Sequence, residues 1–242
     1  MEQLPITRGL NALLGKPVLF LLQAFHVHPE NPAAPIPNHV AMELLVATVL
    51  VLFGVWLGRQ LSVDQPTRWQ HLIELTWGGV HELADEVIGH GASQFMFFLF
   101  SLTLFILGCN LLGLFPTLES PTSNVTVPLG CALLAFAYYH WAGIRQAGVG
   151  GYLKHFMGPM PALAPLMFPI EIVSHLARVL SLTVRLFANI FAGDLVTTIM
   201  VALFPLAGVI FLGLHLFVAL LQTYVFVLLT MVYLGGAVEE AH

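Results

Sequence analysis

Long apolar runs separated by short polar stretches set the plan of this chain. Val40 to Gly58 is a first run, about the ~20 residues that a bilayer core takes. A polar turn, Arg59 to Pro66, follows it. Gln94 to Phe115 is a second span, and Val125 to Gly143 a third, with Pro128 near its start where the missing amide is tolerated. Ile144 to Pro165 is rich in Gly and Pro and reads as a loop. Leu166 to Leu203 is too long for one upright helix: at ~1.5 Å per residue it runs ~57 Å, against a hydrocarbon core of ~30 Å. It must tilt strongly or break. Pro205 marks a turn, and Leu206 to Leu234 is the last apolar stretch. The pattern predicts an all-α integral membrane protein with five spans and a long tilted C-terminal helical hairpin.

Thr67 to His90 has a different rhythm. Trp69, Leu72, Ile73, Val80, Leu83, Ala84 and Val87 recur at helical spacing on one face. Arg68, His71, Glu74, Glu82, Asp85 and Glu86 take the other. This is an amphipathic surface helix, which Gly78-Gly79 would divide. Its acidic polar face favours a protein neighbour over a lipid surface. Residues 1–39 read as an extramembrane or interfacial segment, and residues 40–242 as one membrane domain. Lys16 before Val18-Leu-Phe-Leu-Leu22 is a weak leader pattern with no clean cleavage site, so an uncleaved interfacial segment is the preferred reading.

Composition agrees with the pattern. The 242 residues are 58% hydrophobic and 9% charged, where a soluble domain carries roughly 25% charged residues. A net charge of -5 gives no reason to expect nucleic acid. Cys109 and Cys131 both fall within apolar runs and read as small buried hydrophobes. His26, His28 and His39 lack an accompanying carboxylate or thiolate, so no metal site is expected. No P-loop, dinucleotide fingerprint or nucleophile elbow occurs, and no cofactor is expected. Tyr138-Tyr139-His140-Trp141 reads as an interfacial aromatic belt. Arg59, Arg68, Arg145 and Lys154 put two loops on the cytoplasmic side, with the N-terminus outside and the C-terminus cytoplasmic. Arg8 and Lys16, left outside, run against that rule.

The candidate chemistry lies in the long run. Arg185 sits near its middle, in Ser181-Leu-Thr-Val-Arg185-Leu-Phe-Ala-Asn189-Ile-Phe-Ala-Gly193-Asp194. A charge at that depth costs at least ~3 kcal/mol, and a guanidinium cannot escape by losing its proton. With Arg185 at 0° and ~100° per residue, Glu171, Ser174, Arg178, Ser181 and Asn189 fall within about 40° of it. Asp194 points the opposite way, near ~180°. In the last run, His215 and Gln222 share a face. Such groups can satisfy one another inside a bundle, as buried charges must. A stripe of this length and variety fits an ion path better. Glu171 lies ~21 Å to one side of Arg185 and Asp194 ~14 Å to the other on a continuous helix. A fixed cation between two protonatable groups blocks straight-through leakage. Transport past it needs a mobile carboxylate on a moving partner, whose ionised form Arg185 stabilises.

At these residues the chain resembles subunit a of F-type ATP synthases. The run from Ser181 to Asp194 is similar to that family's arginine segment, and His215, Gln222 and Leu228-Leu-Thr-Met-Val-Tyr-Leu234 to its last helix. Asn110-Leu-Leu-Gly-Leu-Phe-Pro116 and Ser123-Asn-Val-Thr126 resemble its earlier motifs, and the likeness covers Val40 to Leu234. The resemblance implies a non-catalytic stator protein of the bacterial inner membrane, set beside a rotating ring of c subunits. The implied partners are that ring, the b subunits of the peripheral stalk, the F1 sector indirectly, and membrane lipid. Arg185 matches the essential arginine and Gln222 the glutamine facing it. Glu171, Ser181 and Asn189 match polar positions of the arginine helix, with Glu171 towards the cytoplasmic exit. Asp194 and His215 match the acid–His pair of the outer half-channel, and Asn110, Ser123 and Asn124 its entrance lining. The acid here is Asp where many members carry Glu, which leaves room for a water between it and His215. Arg178 carries no assigned step. A stand-alone proton-coupled transporter is the competing class, but the paired repeats and broken helices usual there are not seen. A membrane-embedded hydrolase lacks a credible nucleophile–base or metal-ligand set.

Overall fold

Hydrocarbon offers no hydrogen bonds to a bare backbone, so each apolar run satisfies its own amides by coiling into a helix. The computed structural model describes residues 3–24, 31, 34–89, 91–115, 118–156 and 164–239. His26, His28 and His90 lie outside them. Among the described residues the elements are α1 (Pro5–Ala24), α2 (Asn38–Gly58), α3 (Arg68–Ile88), α4 (Met96–Leu112), α5 (Thr126–Phe156), α6 (Ala164–Leu203) and α7 (Pro205–Glu239). Short 3-10 turns, Ala92–Phe95 and Pro121–Ser123, lead into α4 and towards α5. Five helical stretches are long and apolar enough to cross a membrane: Asn38–Gly58, Ala92–Leu112, Thr126–Tyr152, Pro165–Leu203 and Gly208–Val238. The chain is an all-helical, multi-pass membrane protein.

The long run resolves as one unbroken helix. α6 has 40 residues and contains Pro169 only within its first two turns. At ~1.5 Å per residue it spans ~60 Å, so it fits a ~30 Å core only at a steep slant. Pro205 opens α7, and the two long helices form a hairpin that is the most extensive contact in the chain. Leu186 and Ile190 of α6 pack with Phe226 of α7, Leu102 and Ile106 of α4, and Cys131 of α5. A neighbouring cluster joins Ala84 of α3, Leu99 of α4, Tyr139 of α5 and Met231 and Leu234 of α7.

Two segments differ from the sequence expectation. α3 is continuous through Gly78 and Gly79, around which there is open space. Thr67 caps it by accepting a hydrogen bond from the Gln70 amide. Val80, Ala84, Leu83 and Val87 pack on the bundle as expected, whereas Trp69 and Leu72 are more than half exposed. The Gly-rich stretch after Gly143 is not a loop throughout. α5 runs on and bends only at Gly148, where φ is 72° and ψ 160°. The bend folds the helix back, so that Tyr152 packs against Gly143 and bonds the His140 ring. At the other end, α1 lays Leu4, Ile6, Leu10 and Val18 over Ile36, Ala41 and Met42. Asn11 ties it down by pairing with both backbone groups of Ile36, at 2.9 and 3.0 Å.

Candidate functional site

α6 turns the middle of its polar stripe, Ser181, Arg185 and Asn189, outward, while Glu171, Ser174 and Arg178 are half-buried. Arg185 is exposed, while its neighbour Leu186 is fully buried. Its Nη2 reaches Ser181 Oγ at 3.5 Å, one turn away, and it makes no ion pair among the described residues. Ser181 and Asn189 are exposed on the same side. Asn189 Nδ2 donates to Gln222 Oε1 at 2.6 Å, which joins the stripe to α7. Gln222 is 1% exposed, and its Nε2 has no hydrogen-bond partner among the described residues.

Asp194 leaves α6 on the other face and meets α7. Its Oδ1 lies 3.3 Å from His215 Nε2, with the His215 side chain 1% exposed and the Asp194 side chain 24%. The alignment is too poor for a hydrogen bond, so the contact is one of proximity. Direct approach by the shorter acid is possible because two glycines make room. A Cβ on Gly113 would stand 2.6 Å from Asp194 Oδ1 and 3.0 Å from His215 Nε2. A Cβ on Gly193 would stand 2.7 Å from His215 Nδ1. From Asp194 a cavity of about 480 Å³ opens, lined on its polar side by Glu119, Ser120, Ser123, Thr197 and Thr198. Glu119 also accepts from Asn38 Nδ2 at 3.4 Å.

The expected entrance residues divide. Ser123 lines the cavity. Asn110 does not open onto it: it is fully buried, donates to Ala219 O and Thr223 Oγ1, and accepts from Thr122 Oγ1 at 2.6 Å. It pins α4 to α7. Asn124 accepts from the amide and hydroxyl of Thr126 and starts α5.

At the opposite end of α6, Glu171 Oε1 lies 3.4 Å from His175 Nε2. His175 Nδ1 is 2.7 Å from the Tyr139 hydroxyl, and its ring lies against Tyr139 and His140. Arg178 rests over the Tyr233 ring, 5.1 Å from its centroid. The aromatic stretch at the end of the third span therefore splits. Trp141 is half exposed, but Tyr139 is 2% exposed and part of this buried cluster. Sequence reasoning passed over His175, Glu119 and Gly113. His175 lies ~80° from Arg185 by helical arithmetic, outside the stripe, and Tyr139 and His140 beside it come from α5.

These features define a class: a helical membrane protein with a cation on an open intramembrane face and acid–imidazole contacts towards both ends of the same helix. The family described as ATP synthase A chain matches residues 40–235. ATP synthase subunit a of Koribacter versatilis is 48% identical over 242 residues, covering 100% of this chain and 99% of that protein. The Solibacter usitatus subunit is 49% identical over 211 residues, 87% of this chain and 91% of its own. The Campylobacter jejuni subunit is 41% identical over 203 residues, 82% of this chain and 89% of its own. The chain belongs to the ATP synthase subunit a family.

Proposed function

We propose that this chain forms two offset proton half-channels against a rotating ring of c subunits and couples proton passage to rotation. It does so as a non-catalytic part of the membrane sector. The observation that carries the reading is the placement of Arg185. It faces outward from the bundle, without an ion pair among the described residues. An unpaired charge facing lipid costs at least ~3 kcal/mol, and a carboxylate on a neighbouring subunit removes that cost.

The steps follow from this geometry. A proton enters through the cavity beside Glu119 and Ser123 and reaches Asp194 and His215. From there it neutralises a ring carboxylate. The neutral carboxyl turns away through lipid at little cost. After nearly a full rotation it meets the other half-path, which runs along Ser181 towards Glu171. Near Arg185 the ionised form is favoured, so the carboxyl discharges before it passes. Asn189 and Gln222 hold the arginine helix against α7 and fix where the guanidinium sits. The driving field is ~2.3 kcal/mol per charge for each 100 mV. The b subunits of the peripheral stalk hold the chain static, the F1 sector is linked through them, and the Glu171 end faces the cytoplasm. The N-terminus lies outside and the C-terminus inside.

The test is Arg185→Gln in the whole complex reconstituted in vesicles. ATP-driven acidification is expected to be lost, with ATP hydrolysis by the soluble sector retained. Unchanged acidification would exclude the mechanism.

A further inference from the structure

Resting on the half-channel reading, we propose that His175 is a proton relay on the Glu171 side, passing protons between the Tyr139 hydroxyl and Glu171. The polar stripe does not contain this residue, and the mechanism above does not use it. Its geometry is that of a link rather than a lining. The ring is 8% exposed, and each nitrogen faces a group able to exchange a proton. Nδ1 meets Tyr139 Oη at 2.7 Å, and Nε2 meets Glu171 Oε1 at 3.4 Å. The two contacts come from different helices, α5 and α6, so the imidazole bridges them.

The relay conserves protons at every step. Tyr139 Oη gives its proton to Nδ1 as it takes another from water, and the Nε2 proton leaves to the Glu171 carboxylate, which releases it to water. Neutral imidazole then returns to its starting tautomer or passes the next proton the opposite way. The surroundings frame that exchange. Glu171 stands on one side of the ring, and Arg178 of the same helix is held over Tyr233. His140 adds a second imidazole with its ring centre 4.7 Å from that of His175, and it is held in turn by Tyr152.

A purely structural role predicts different behaviour. There, His175 would clamp α6 to α5, and any loss on replacement would follow assembly and not pH. The experiment measures passive proton flux through complexes stripped of the soluble sector, in vesicles under an imposed potential. The variants are His175→Gln, Tyr139→Phe, which keeps the ring packing, and Arg185→Gln in the intact coupled complex. For His175→Gln the flux is expected to fall about tenfold; water still offers a slower path, so the loss stays below the ~10²-fold of a positioned acid–base group. The inflection between about pH 5 and 8 in the wild-type flux should vanish, and added imidazole buffer should restore part of the rate. Tyr139→Phe should move that inflection without loss of ring co-purification. Wild-type flux and pH profile in both His175→Gln and Tyr139→Phe overturns the relay. So does a loss equal at every pH and untouched by imidazole. Arg185→Gln separates the two ideas: if coupling survives it, the half-channel reading itself fails.

Discussion

A single methyl group tests how the Asp194–His215 contact is held. Gly113→Ala would push a carbon to within 2.6 Å of Asp194 Oδ1, and Gly193→Ala one to within 2.7 Å of His215 Nδ1. Overpacking of this kind costs about 1–3 kcal/mol. Each variant is expected to slow proton flux and to lower thermal stability together. Cys109 and Cys131 are buried free thiols, so labelling by a thiol-reactive dye during heating reads that stability directly. Wild-type flux with a methyl at Gly113 would show that the pair adjusts freely and is not held by the glycine. Thr122→Val is the contrasting case. It leaves Asn110 Oδ1 without its 2.6 Å donor in a closed pocket, at about 1–3 kcal/mol, and should cost stability more than flux. These residues also mark the limit of sequence reading. Arg185, Glu171, Ser181 and Asn189 lie on one helix, so arithmetic alone puts them on one face. Gly113 and His175 take their meaning from other helices, and no periodicity along their own segments records that.

Glycine carries opposite predictions in two helices. In α3, Gly78 and Gly79 are exposed, helical and surrounded by open space. Gly→Ala at either is expected to stabilise by up to about 1 kcal/mol, because alanine is the better helix former. In α5, Gly148 is also in open space, so an added methyl meets nothing. Its φ of 72° with ψ of 160° is nonetheless a region that is essentially glycine's alone. Gly148→Ala should therefore destabilise the fold-back by about 1–3 kcal/mol through the backbone. Thiol labelling on heating should separate the signs, and faster proteolysis within residues 149–156 should accompany only the second. A sequence shows that both places are rich in glycine, not which glycine bends. That is why α3 was expected to divide and the stretch after Gly143 to be a loop. The five spans were legible because hydrophobic length is a local property, and each span here is set by its own residues.

For the molecule as a whole, the spanning helix with the most polar face is the one that its own chain covers least. Within the spanning windows, 17% of α6 is buried, against 39% for α4 and α7 and 44% for α5. α2 is also open, at 22%, but it is apolar nearly throughout and suits lipid. Beside Arg185 the open face of α6 is smooth. Ala188 and Ala192 are exposed and fall about 60° and 20° from it at ~100° per residue, with Ser181 about 40° away. Small side chains here would let a proposed partner helix come close enough for a carboxylate to reach the guanidinium, whereas lipid would accept any apolar residue. Ala192→Leu separates these surroundings. In the isolated chain it is a surface change, and stability should stay within about 0.5 kcal/mol of wild type. In the complex the extra carbons stand where a partner helix would lie. Purification in mild detergent should then recover less c ring with the variant, and ATP-driven acidification should fall with it. The wild-type chain alone in vesicles should conduct no protons if, as proposed, two half-paths meet only through a partner. If the leucine variant assembled and pumped as wild type does, lipid rather than a ring would cover this face, and Arg185 would need a different counter-charge.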